Sequence, residues 1–308
     1  MNILILGGSG FVGLAICSKL VAAGHSVTVP TRLRDHARNL FPLPSVTVVE
    51  ADVYDAGALV RLASGMDAVI NLVGVLNGDF ERAHVTLTQN AIAACKAAGV
   101  SRYLHMSALG ASENGSSQYQ QTKARAEAAV RASGLDYTIF APSVIFGRGD
   151  SFLNKFAAMV KLLPPFMPMA LPGASARFQP VWVDDVARAF VAALTTRATV
   201  GQRYELAGPK AYSLRELVRY VMTLADDRHA IIGLPGFVSS LLGAVLGHLP
   251  GKVLTTDNVR SMSVDNVTDA AWPAFAGSRA ALEDIAPTYL GRVASFDEFA
   301  LAREKAGH

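Results

Sequence analysis

The sequence has few cysteines, few charged residues and no metal-ligand spacing. Cys17 and Cys95 are the only cysteines among 308 residues, and no C-x-x-C pair occurs. This pattern disfavours a disulfide framework, a zinc site and an oxidising compartment, and we expect two buried thiols in helices. Charged residues make up 17% of the chain, against about 25% in ordinary soluble proteins. The net charge of +3 gives no basis for nucleic-acid binding, and the composition excludes a disordered chain or a coiled coil.

The amino terminus lacks the pattern of a secretion signal, which needs a basic start and a longer apolar stretch. Its apolar run, Ile3–Leu6, is short and continues directly into glycines. We therefore expect a cytoplasmic protein. Apolar residues make up 51% of the chain, which indicates a buried α/β core, an apolar pocket or contact with a membrane.

Short apolar runs alternate with helical stretches through the first half of the chain. This alternation predicts an α/β fold of the Rossmann type, with a doubly wound parallel sheet covered by helices on both faces. The predicted strands are Asn2–Leu6, Ser26–Val29, Val46–Glu50, Ala68–Val73, Tyr103–Met106 and Tyr137–Phe140. The main predicted helices are Phe11–Ala23, Asp55–Ser64, Phe80–Ala98, Gln118–Ala132 and Asp184–Leu194.

The alternation ends after about Val144, which indicates a second domain. Leu162–Gly173 holds four prolines among apolar residues, and we predict an apolar loop there. We assign residues 1–145 plus about 180–200 to a dinucleotide-binding domain. Residues from about 146 to 179, together with 201–308, are expected to form a smaller, mostly helical domain for substrate or partner binding.

The first predicted strand runs into a glycine-rich turn that opens a helix. Gly7, Gly10 and Gly13 fit G-x-x-G-x-x-G, and the string also fits the G-x-G-x-x-G fingerprint. Strand, turn and helix are the context in which such glycines bind a pyrophosphate on the helix amino terminus. The predicted phosphate-binding residues are Gly7, Ser9, Gly10, Phe11, Val12 and Gly13. The alternative is an ordinary β–α turn that binds nothing.

The end of the second strand favours NADP(H) over NAD(H). NAD sites usually place an acidic residue there for the ribose 2′-hydroxyl, but this chain has Thr31 and Arg32 and no acid before Asp35. A guanidinium at Arg32 suits a 2′-phosphate. The alternative is that Arg32 is a solvated loop residue.

Two further strand ends should contribute to the same cofactor site. Asp52 and Val53 follow the third strand, where a carboxylate can accept the adenine amino group, although Asp52 could equally cap the next helix. Leu72, Val73 and Gly74 follow the fourth strand, where small residues let a cofactor pass over the sheet edge.

A serine, a tyrosine and a lysine form a candidate catalytic group. Tyr119 and Lys123 stand four residues apart, so a helix presents both on one face. Ser107 ends the preceding strand at the edge where ligands bind. We predict that Tyr119 moves the hydroxyl proton, that the Lys123 charge lowers the tyrosine pKa, and that Ser107 bonds the carbonyl oxygen. The alternative is a surface tyrosine.

With these residues in this order, the chain resembles a short-chain dehydrogenase/reductase of the extended or atypical kind, in the NAD-dependent epimerase/dehydratase superfamily. It is similar in particular to the group related to the nucleotide-binding accessory subunit of respiratory complex I. The segments that carry the likeness, beyond those above, are 30–32, 105–110, 142–147, 177–180 and 180–187. The resemblance implies a Rossmann domain with bound NADPH, a free-standing bacterial relative of that subunit, and further cofactor contacts at Pro142, Ser143 and Val144.

Other features disfavour sugar-nucleotide chemistry. Only 12 positions separate Ser107 from Tyr119, a shorter loop than the sugar-nucleotide enzymes have, and the acidic partner of a dehydratase is missing after Ser107. The segment predicted to line the substrate pocket is largely apolar, so we expect an apolar carbonyl or alcohol substrate. The proposed substrate residues are Phe152, Phe156, Arg177 and Phe178. The alternative is that this apolar stripe is domain core.

Residues 231–249 contain no Asp, Glu, Lys or Arg. A buried helix, a surface helix that touches a membrane or partner, and a membrane span all remain open for this segment, although Pro235 and Gly236 argue against a span.

Three functions are consistent with the sequence. The first is an NADP(H)-dependent oxidoreductase. The second is a non-catalytic NADPH-binding protein that helps assemble or stabilise a respiratory membrane complex, with peripheral contact at the inner membrane face. The third is an NAD-dependent sugar-nucleotide epimerase. The oligomeric state stays open.

Overall fold

A computed structural model describes residues 1–164, 166–234, 257, 260–261 and 264–290. The chain divides into two compact units. The first unit comprises residues 1–142, 183–206 and 269–278, and the second comprises 143–182, 207–268 and 279–308.

A seven-stranded parallel sheet forms the centre of the first unit, in the order β11-β6-β5-β4-β1-β2-β3. Its strands are β1 (Asn2–Leu6), β2 (Ser26–Thr31), β3 (Val46–Glu50), β4 (Ala68–Asn71), β5 (Arg102–Met106), β6 (Asp136–Pro142) and β11 (Gln202–Leu206). The strand order reverses between β1 and β4, which makes their carboxyl ends the place where such sheets bind ligands. The predicted Rossmann-type architecture is confirmed.

Five of the described helices lie where the sequence predicts them. The longer helices are α1 (Phe11–Ala22), α2 (Ala56–Ala63), α3 (Leu87–Ala98), α4 (Gln118–Arg131), α5 (Leu153–Leu162), α6 (Val183–Thr195) and α7 (Leu214–Leu224). Helices α5 and α7 were not predicted individually. Short 3-10 turns occur at Arg34–Leu40, Arg197–Thr199 and Ala274–Ala276, and four-residue helical turns at Leu282–Ile285 and Pro287–Leu290. A π-helical turn, Glu81–Thr86, directly precedes α3, where the sequence predicts one continuous α-helix.

Local sequence explains these elements. The side chains of Ile3, Leu4, Ile5 and Leu6 in β1 are all buried, as expected for a central strand covered on both faces. Helix α4 begins with a capping box in which the Ser117 hydroxyl accepts from the Gln120 N–H. Cys17 and Cys95 are buried in α1 and α3, as predicted, and burial raises the pKa of each thiol to about 12.

The second unit has its own apolar core and, among its described residues, three two-stranded pairings. Strand β7 (Ile145–Phe146) pairs with β10 (Val181–Trp182), β8 (Met169–Pro172) with β13 (Ile231–Leu234), and β9 (Arg177–Phe178) with β12 (Tyr212–Ser213). Helices α5 and α7 supply much of the core. The unit therefore mixes helices with short strands.

Three segments differ from the sequence-based expectations. The proline-rich stretch 162–173, predicted as loop, contains β8, because its prolines stand outside the strand or at its last position. Strand β11, assigned from the sequence to the second domain, pairs with β6 in the main sheet. Ile231–Leu234, the start of the apolar 231–249 segment, is strand β13, and residues 235–249 lie outside the described part of the chain. Within that described part, no helix has both the length and the apolar character that a membrane span requires.

Candidate active site

The glycine-rich turn after β1 has the geometry that phosphate binding requires. Gly7 adopts φ +81°, which favours glycine, and packs against the backbone of Leu72 and Val73. At Gly13 a Cβ atom would lie 2.4 Å from the Gly8 oxygen, so only glycine permits this packing of helix on strand. At Gly10 a Cβ atom would meet only the Gly7 oxygen, at 3.4 Å, and the residue is exposed.

The amino terminus of α1 is open to an anion. Gly10 is its N-cap, no side chain in the described part of the chain caps the helix, and its first turn contains no acidic residue. Phe11 and Val12 are the first residues of the helix and are partly exposed, as is Ser9 in the turn. The first backbone N–H groups of the helix thus have no side-chain acceptor and carry the positive end of the helix dipole. This arrangement fits a pyrophosphate.

The end of β2 presents two arginines in different settings. Thr31 is buried, and its hydroxyl donates to the Leu33 carbonyl at 3.0 Å. Arg32 follows it and is exposed, with no ion pair or ring contact among the described residues. The Arg34 guanidinium lies over the Phe41 ring at 5.5 Å. Both side chains are exposed, and Arg32 is the one that directly follows the last residue of β2.

The predicted residues after β3 are also accessible. Asp52 is exposed, and its Oδ1 accepts the Tyr54 N–H at 3.0 Å. Helix α2 is capped by Asp55, whose Oδ1 accepts the Gly57 N–H at 2.8 Å. The alternative that Asp52 caps this helix is therefore wrong, and its adenine-binding role stays a prediction. Val53, beside it, is half-buried.

A buried asparagine, which sequence reasoning missed, shapes the end of β4. The Asn71 Oδ1 accepts the Val73 N–H at 3.1 Å, and its amide donates to Tyr103 Oη and Thr88 Oγ1. These bonds turn the chain so that Leu72, Val73 and Gly74 leave the sheet beside Gly7. A buried polar residue at the last position of an otherwise apolar strand was the available signal.

Ser107 stands directly after β5, at the sheet edge. Its N–H donates to the Phe140 carbonyl at 2.7 Å, which fixes the residue beside β6. Its Oγ is buried and has no hydrogen-bond partner among the described residues. A buried hydroxyl without a partner costs about 1–3 kcal/mol, which fits a group that bonds to a substrate oxygen.

The Lys123 side chain extends from α4 to the carboxyl ends of β4 and β5. Its Nζ donates to the Met106 carbonyl at 3.1 Å and to the Val73 carbonyl at 3.3 Å. A Cβ on Gly74 would lie 3.0 Å from that Nζ, so a larger residue would crowd the lysine. Burial lowers the pKa of Lys123 to about 8, although the nearby Glu127 charge opposes this shift. The ammonium group is thus held where β4, β5 and α4 meet.

Tyr119 lies one helical turn before Lys123 and is half-buried. The edge of its ring packs against Phe80 and His84, with centroid distances of 6.3 and 5.5 Å. Burial raises the pKa of Tyr119 to about 12. This direction is opposite to the expectation that Lys123 lowers the tyrosine pKa, because burial disfavours the charged phenolate.

The remaining predicted cofactor residues fall on both units. Pro142 ends β6 in the first unit, and its carbonyl accepts the Leu109 N–H at 2.8 Å. Ser143 and Val144 begin the second unit, where the Ser143 hydroxyl donates to Asn266 Oδ1 at 2.6 Å and Val144 packs against the apolar core. Their roles toward a cofactor stay predictions.

The predicted substrate residues lie in the second unit and differ in exposure. Phe156 and Phe178 are 8% and 3% exposed and belong to its apolar core, while Phe152 is half-buried and packs against both rings. Arg177 is exposed, and its backbone N–H donates to Asp265 Oδ1 at 2.8 Å. Phe156 and Phe178 thus fit the core alternative, and a substrate role for the four residues stays a prediction.

Comparison with known proteins places this geometry in context. A family described as NAD(P)H-binding matches residues 7–151. The chain is 33% identical over 278 residues to the mitochondrial NADH dehydrogenase (ubiquinone) 1 alpha subcomplex subunit 9 of Mus musculus, with 87% of this chain and 73% of that protein covered.

Two further similarities concern enzymes. The chain is 29% identical over 260 residues to the 2-alkyl-3-oxoalkanoate reductase of Stenotrophomonas maltophilia, with 72% of this chain and 75% of that protein covered. A nucleoside-diphosphate-sugar epimerase structure from Staphylococcus aureus superposes with a TM-score of 0.71 at 19% identity, over 89% of this chain and 94% of that one. The structural likeness concerns the fold alone.

Proposed function

This chain belongs to the NAD(P)-binding short-chain dehydrogenase/reductase family in its extended or atypical form, together with the alpha subcomplex subunit 9 proteins, and from that membership we propose an NADP(H)-dependent oxidoreductase. Its proposed substrate is an apolar carbonyl compound or the matching alcohol. The single observation that carries the proposal is the junction of β4, β5 and α4. There a buried Ser107 hydroxyl has no partner among the described residues, and the Lys123 ammonium group is bound to the neighbouring Met106 carbonyl.

The residues of the first unit fit a dinucleotide. The open turn at Gly10 and the uncapped start of α1 suit its pyrophosphate, and the exposed Arg32 suits a 2′-phosphate. When bound, the cofactor supplies the hydride that reduces a carbonyl carbon.

Side chains of the protein then bind and protonate the carbonyl oxygen. With its pKa raised to about 12, Tyr119 is a neutral phenol at pH 7 and can donate its proton as the oxygen gains charge. The Ser107 hydroxyl donates a second hydrogen bond to the same oxygen, and the Lys123 charge stabilises the phenolate left on Tyr119. A neutral Tyr119 phenol at pH 7 is the protonation state that proton donation to a carbonyl oxygen requires.

The test of the reaction uses Tyr119→Phe, which keeps the ring and removes the proton donor. We expect reduction of 9,10-phenanthrenequinone or a 2-alkyl-3-oxoalkanoate by NADPH to fall at least 100-fold, while the Kd for NADPH changes less than threefold. Tyr137→Phe, a change on β6, is the matched control and should keep full activity. Unchanged turnover in Tyr119→Phe would exclude the tyrosine as the proton donor.

The test of cofactor choice compares two neighbouring arginines. Arg32→Ala should weaken NADPH binding at least 10-fold and leave NADH binding within threefold, because only NADPH carries the 2′-phosphate. Arg34→Ala should change neither, since that guanidinium lies over Phe41. Titration of cofactor fluorescence gives both constants, and tighter binding of NADH than of NADPH by the unaltered protein would contradict the proposal.

A second candidate is an NADPH-binding accessory or assembly protein without hydride transfer. It is favoured by the 33% identity to an NADH dehydrogenase alpha subcomplex subunit. We propose a cytoplasmic location in either case, with peripheral contact at the inner membrane face for the accessory role. If Tyr119→Phe fully restores NADH dehydrogenase activity in cells deleted for this protein, while Arg32→Ala does not, the accessory role is favoured over the enzyme.

A further inference from the structure

A buried histidine joins the loop after β4 to the helix that carries Tyr119 and Lys123. His84 lies in the π-helical turn 81–86 and is 1% exposed. Its Nε2 accepts the Val75 N–H at 3.1 Å, and its Nδ1 lies 2.8 Å from Thr122 Oγ1. Because a backbone N–H can only donate, Nε2 is an acceptor and the ring proton is on Nδ1, which donates to Thr122. The Thr122 hydroxyl donates in turn to the Gln118 carbonyl at 2.8 Å.

The surroundings keep this ring neutral. Burial is the main reason that the pKa of His84 is lowered to about 3, and the Lys123 charge on α4 lowers it further. His105 on β5 also belongs to this cluster, and burial lowers its pKa well below the usual value. The rings of Phe80 and Tyr119 pack against His84 and bring no charge at neutral pH. His84 therefore acts as a fixed two-sided hydrogen-bonding group rather than as an acid or base.

Both ends of this bridge attach to parts of the candidate active site. Val75 follows Val73 and Gly74, where Lys123 Nζ binds the Val73 carbonyl. Thr122 is the residue before Lys123. A Cβ on Gly74 would be 3.0 Å from Lys123 Nζ and 3.8 Å from His84 Nε2, so all three groups meet at one point.

We propose that His84 is a positioning residue, which sets the distance between the β4 loop and the Tyr119 and Lys123 face of α4. The inference rests on the proposed oxidoreductase function. His84 and Thr122 hold the loop on one side and Lys123 holds it on the other, so the lysine and the tyrosine keep one geometry relative to Gly74. Loss of the bridge lets the loop and the helix move apart, and an error of about 1 Å in such a site can cost about 100-fold in rate.

Thr122 offers a matched pair of variants. Thr122→Val keeps the shape but removes the hydroxyl that His84 binds, whereas Thr122→Ser keeps the hydroxyl. With NADPH and 9,10-phenanthrenequinone, we expect kcat to fall 10- to 100-fold in Thr122→Val, with the Kd for NADPH within threefold. Thr122→Ser should stay within threefold of the unaltered protein in both constants. Equal kcat values in the two variants, with both proteins folded, would overturn the inference.

Two His84 variants separate the two bonds. His84→Gln can place an oxygen near Nε2 to accept from Val75, and His84→Asn can place an amide near Nδ1 to donate to Thr122. We expect each to retain more activity than His84→Phe, which keeps the ring and makes neither bond. If His84→Phe matches the unaltered protein in kcat, the residue only fills space.

A measurement independent of turnover distinguishes failure of this inference from failure of the proposed reaction. The ¹⁵N NMR shifts of the His84 ring should show a proton on Nδ1 and none on Nε2, unchanged between pH 5 and pH 8, and Thr122→Val should perturb them. A ring that titrates between pH 5 and pH 8, or that carries its proton on Nε2, would overturn the bridge. If the ring behaves as expected but the unaltered protein transfers no hydride, the reaction is wrong and the bridge stands.

Discussion

Gly10 and Gly13 stand three positions apart in the same turn but are required for different reasons. Gly13 faces the backbone of Gly8, where a Cβ would overlap an oxygen at 2.4 Å, so it is a packing residue. Gly10 is exposed, with ordinary dihedral angles of −79° and 177°, so alanine fits its backbone. Apart from the Gly7 oxygen at 3.4 Å, only a ligand that approaches the start of α1 would contact a methyl group there.

This difference predicts opposite effects of two similar substitutions. Gly13→Ala should destabilise the protein by about 2 kcal/mol or more, because the added methyl group overpacks the turn. Gly10→Ala should leave the melting temperature within about 2 °C but weaken NADPH binding at least 10-fold. Thermal unfolding and fluorescence titration measure the two effects. If Gly10→Ala binds NADPH like the unaltered protein, the phosphates do not bind at this turn.

The residues found from the sequence are those whose partners lie nearby in the chain. The geometry of the glycine turn can be predicted from its local spacing, and so can that of the Tyr119 and Lys123 pair. His84 carries none, because its partners Val75 and Thr122 are 9 and 38 positions away. The Tyr119 pKa was mispredicted for a related reason, since the direction depends on burial that the sequence does not reveal.

Strands β5 and β6 and helix α6 are tied together by one buried guanidinium. Arg102 Nη1 donates to the Asp136 carbonyl, and Nη2 donates to the Ala193 carbonyl, each at 2.6 Å. The same Nη2 lies within 3.0 Å of Thr138 Oγ1 and Thr199 Oγ1. These bonds satisfy polar groups at the end of the sheet opposite the candidate site.

We expect Arg102→Met to lower the free energy of unfolding by about 2–4 kcal/mol, because it leaves several buried acceptors without a donor. Arg125→Met is the matched control. It breaks only the half-exposed ion pair with Glu81 and should cost less than about 1 kcal/mol. Urea unfolding gives both values. Equal midpoints for the two variants would show that the guanidinium does not hold these elements together.

Elements with a clear period were predictable, and those shaped by distant contacts were not. The six predicted strands of the sheet occur within a few residues of their expected ends. The half-polar edge strand β11, Gln202–Leu206, lacked an apolar run, so only its pairing with β6 shows that it belongs to the sheet. The π-helical turn 81–86 was read as α-helix because its composition is helical, and its wider geometry goes with the inward position of His84.

At the scale of the whole molecule, buried basic groups make stability depend on pH. The native pKa of His84 is about 3, below its unfolded value near 6.5, and that of His105 is lowered in the same direction. The two neutral histidines contribute fully to the free energy of unfolding above pH 6.5. This contribution is lost as the pH falls below 6.5, because their rings are then protonated in the unfolded chain only. The pKa of Lys123 is lowered from 10.5 to about 8. Its effect on stability has the same sign at higher pH, so stability also decreases as the pH falls from 10.5 to 8.

For His84 alone this linkage amounts to about 2 kcal/mol between pH 6.5 and pH 5. His105 allows a separate test, because both its ring nitrogens are buried without partners among the described residues. We expect the melting temperature of His105→Phe to fall less between pH 7 and pH 5 than that of the unaltered protein. His36→Gln, at an exposed position, is the control and should follow the unaltered protein. If the melting temperature of His105→Phe falls as far as that of the control, His105 takes up protons in the native state.

The order of the strands also bears on how the protein is made. Strand β1 leaves the ribosome before the rest of the sheet, yet its neighbours are β2 on one side and β4 on the other. Burial of its four apolar side chains stabilises the fold by about 1.5–3 kcal/mol each. The sum is comparable with the whole stability of a typical domain. During synthesis this segment therefore lacks its β4 partner until residue 71 has emerged, and the far edge of the sheet forms only with residue 206. A chaperone that binds nascent chains would find a target in Ile3–Leu6.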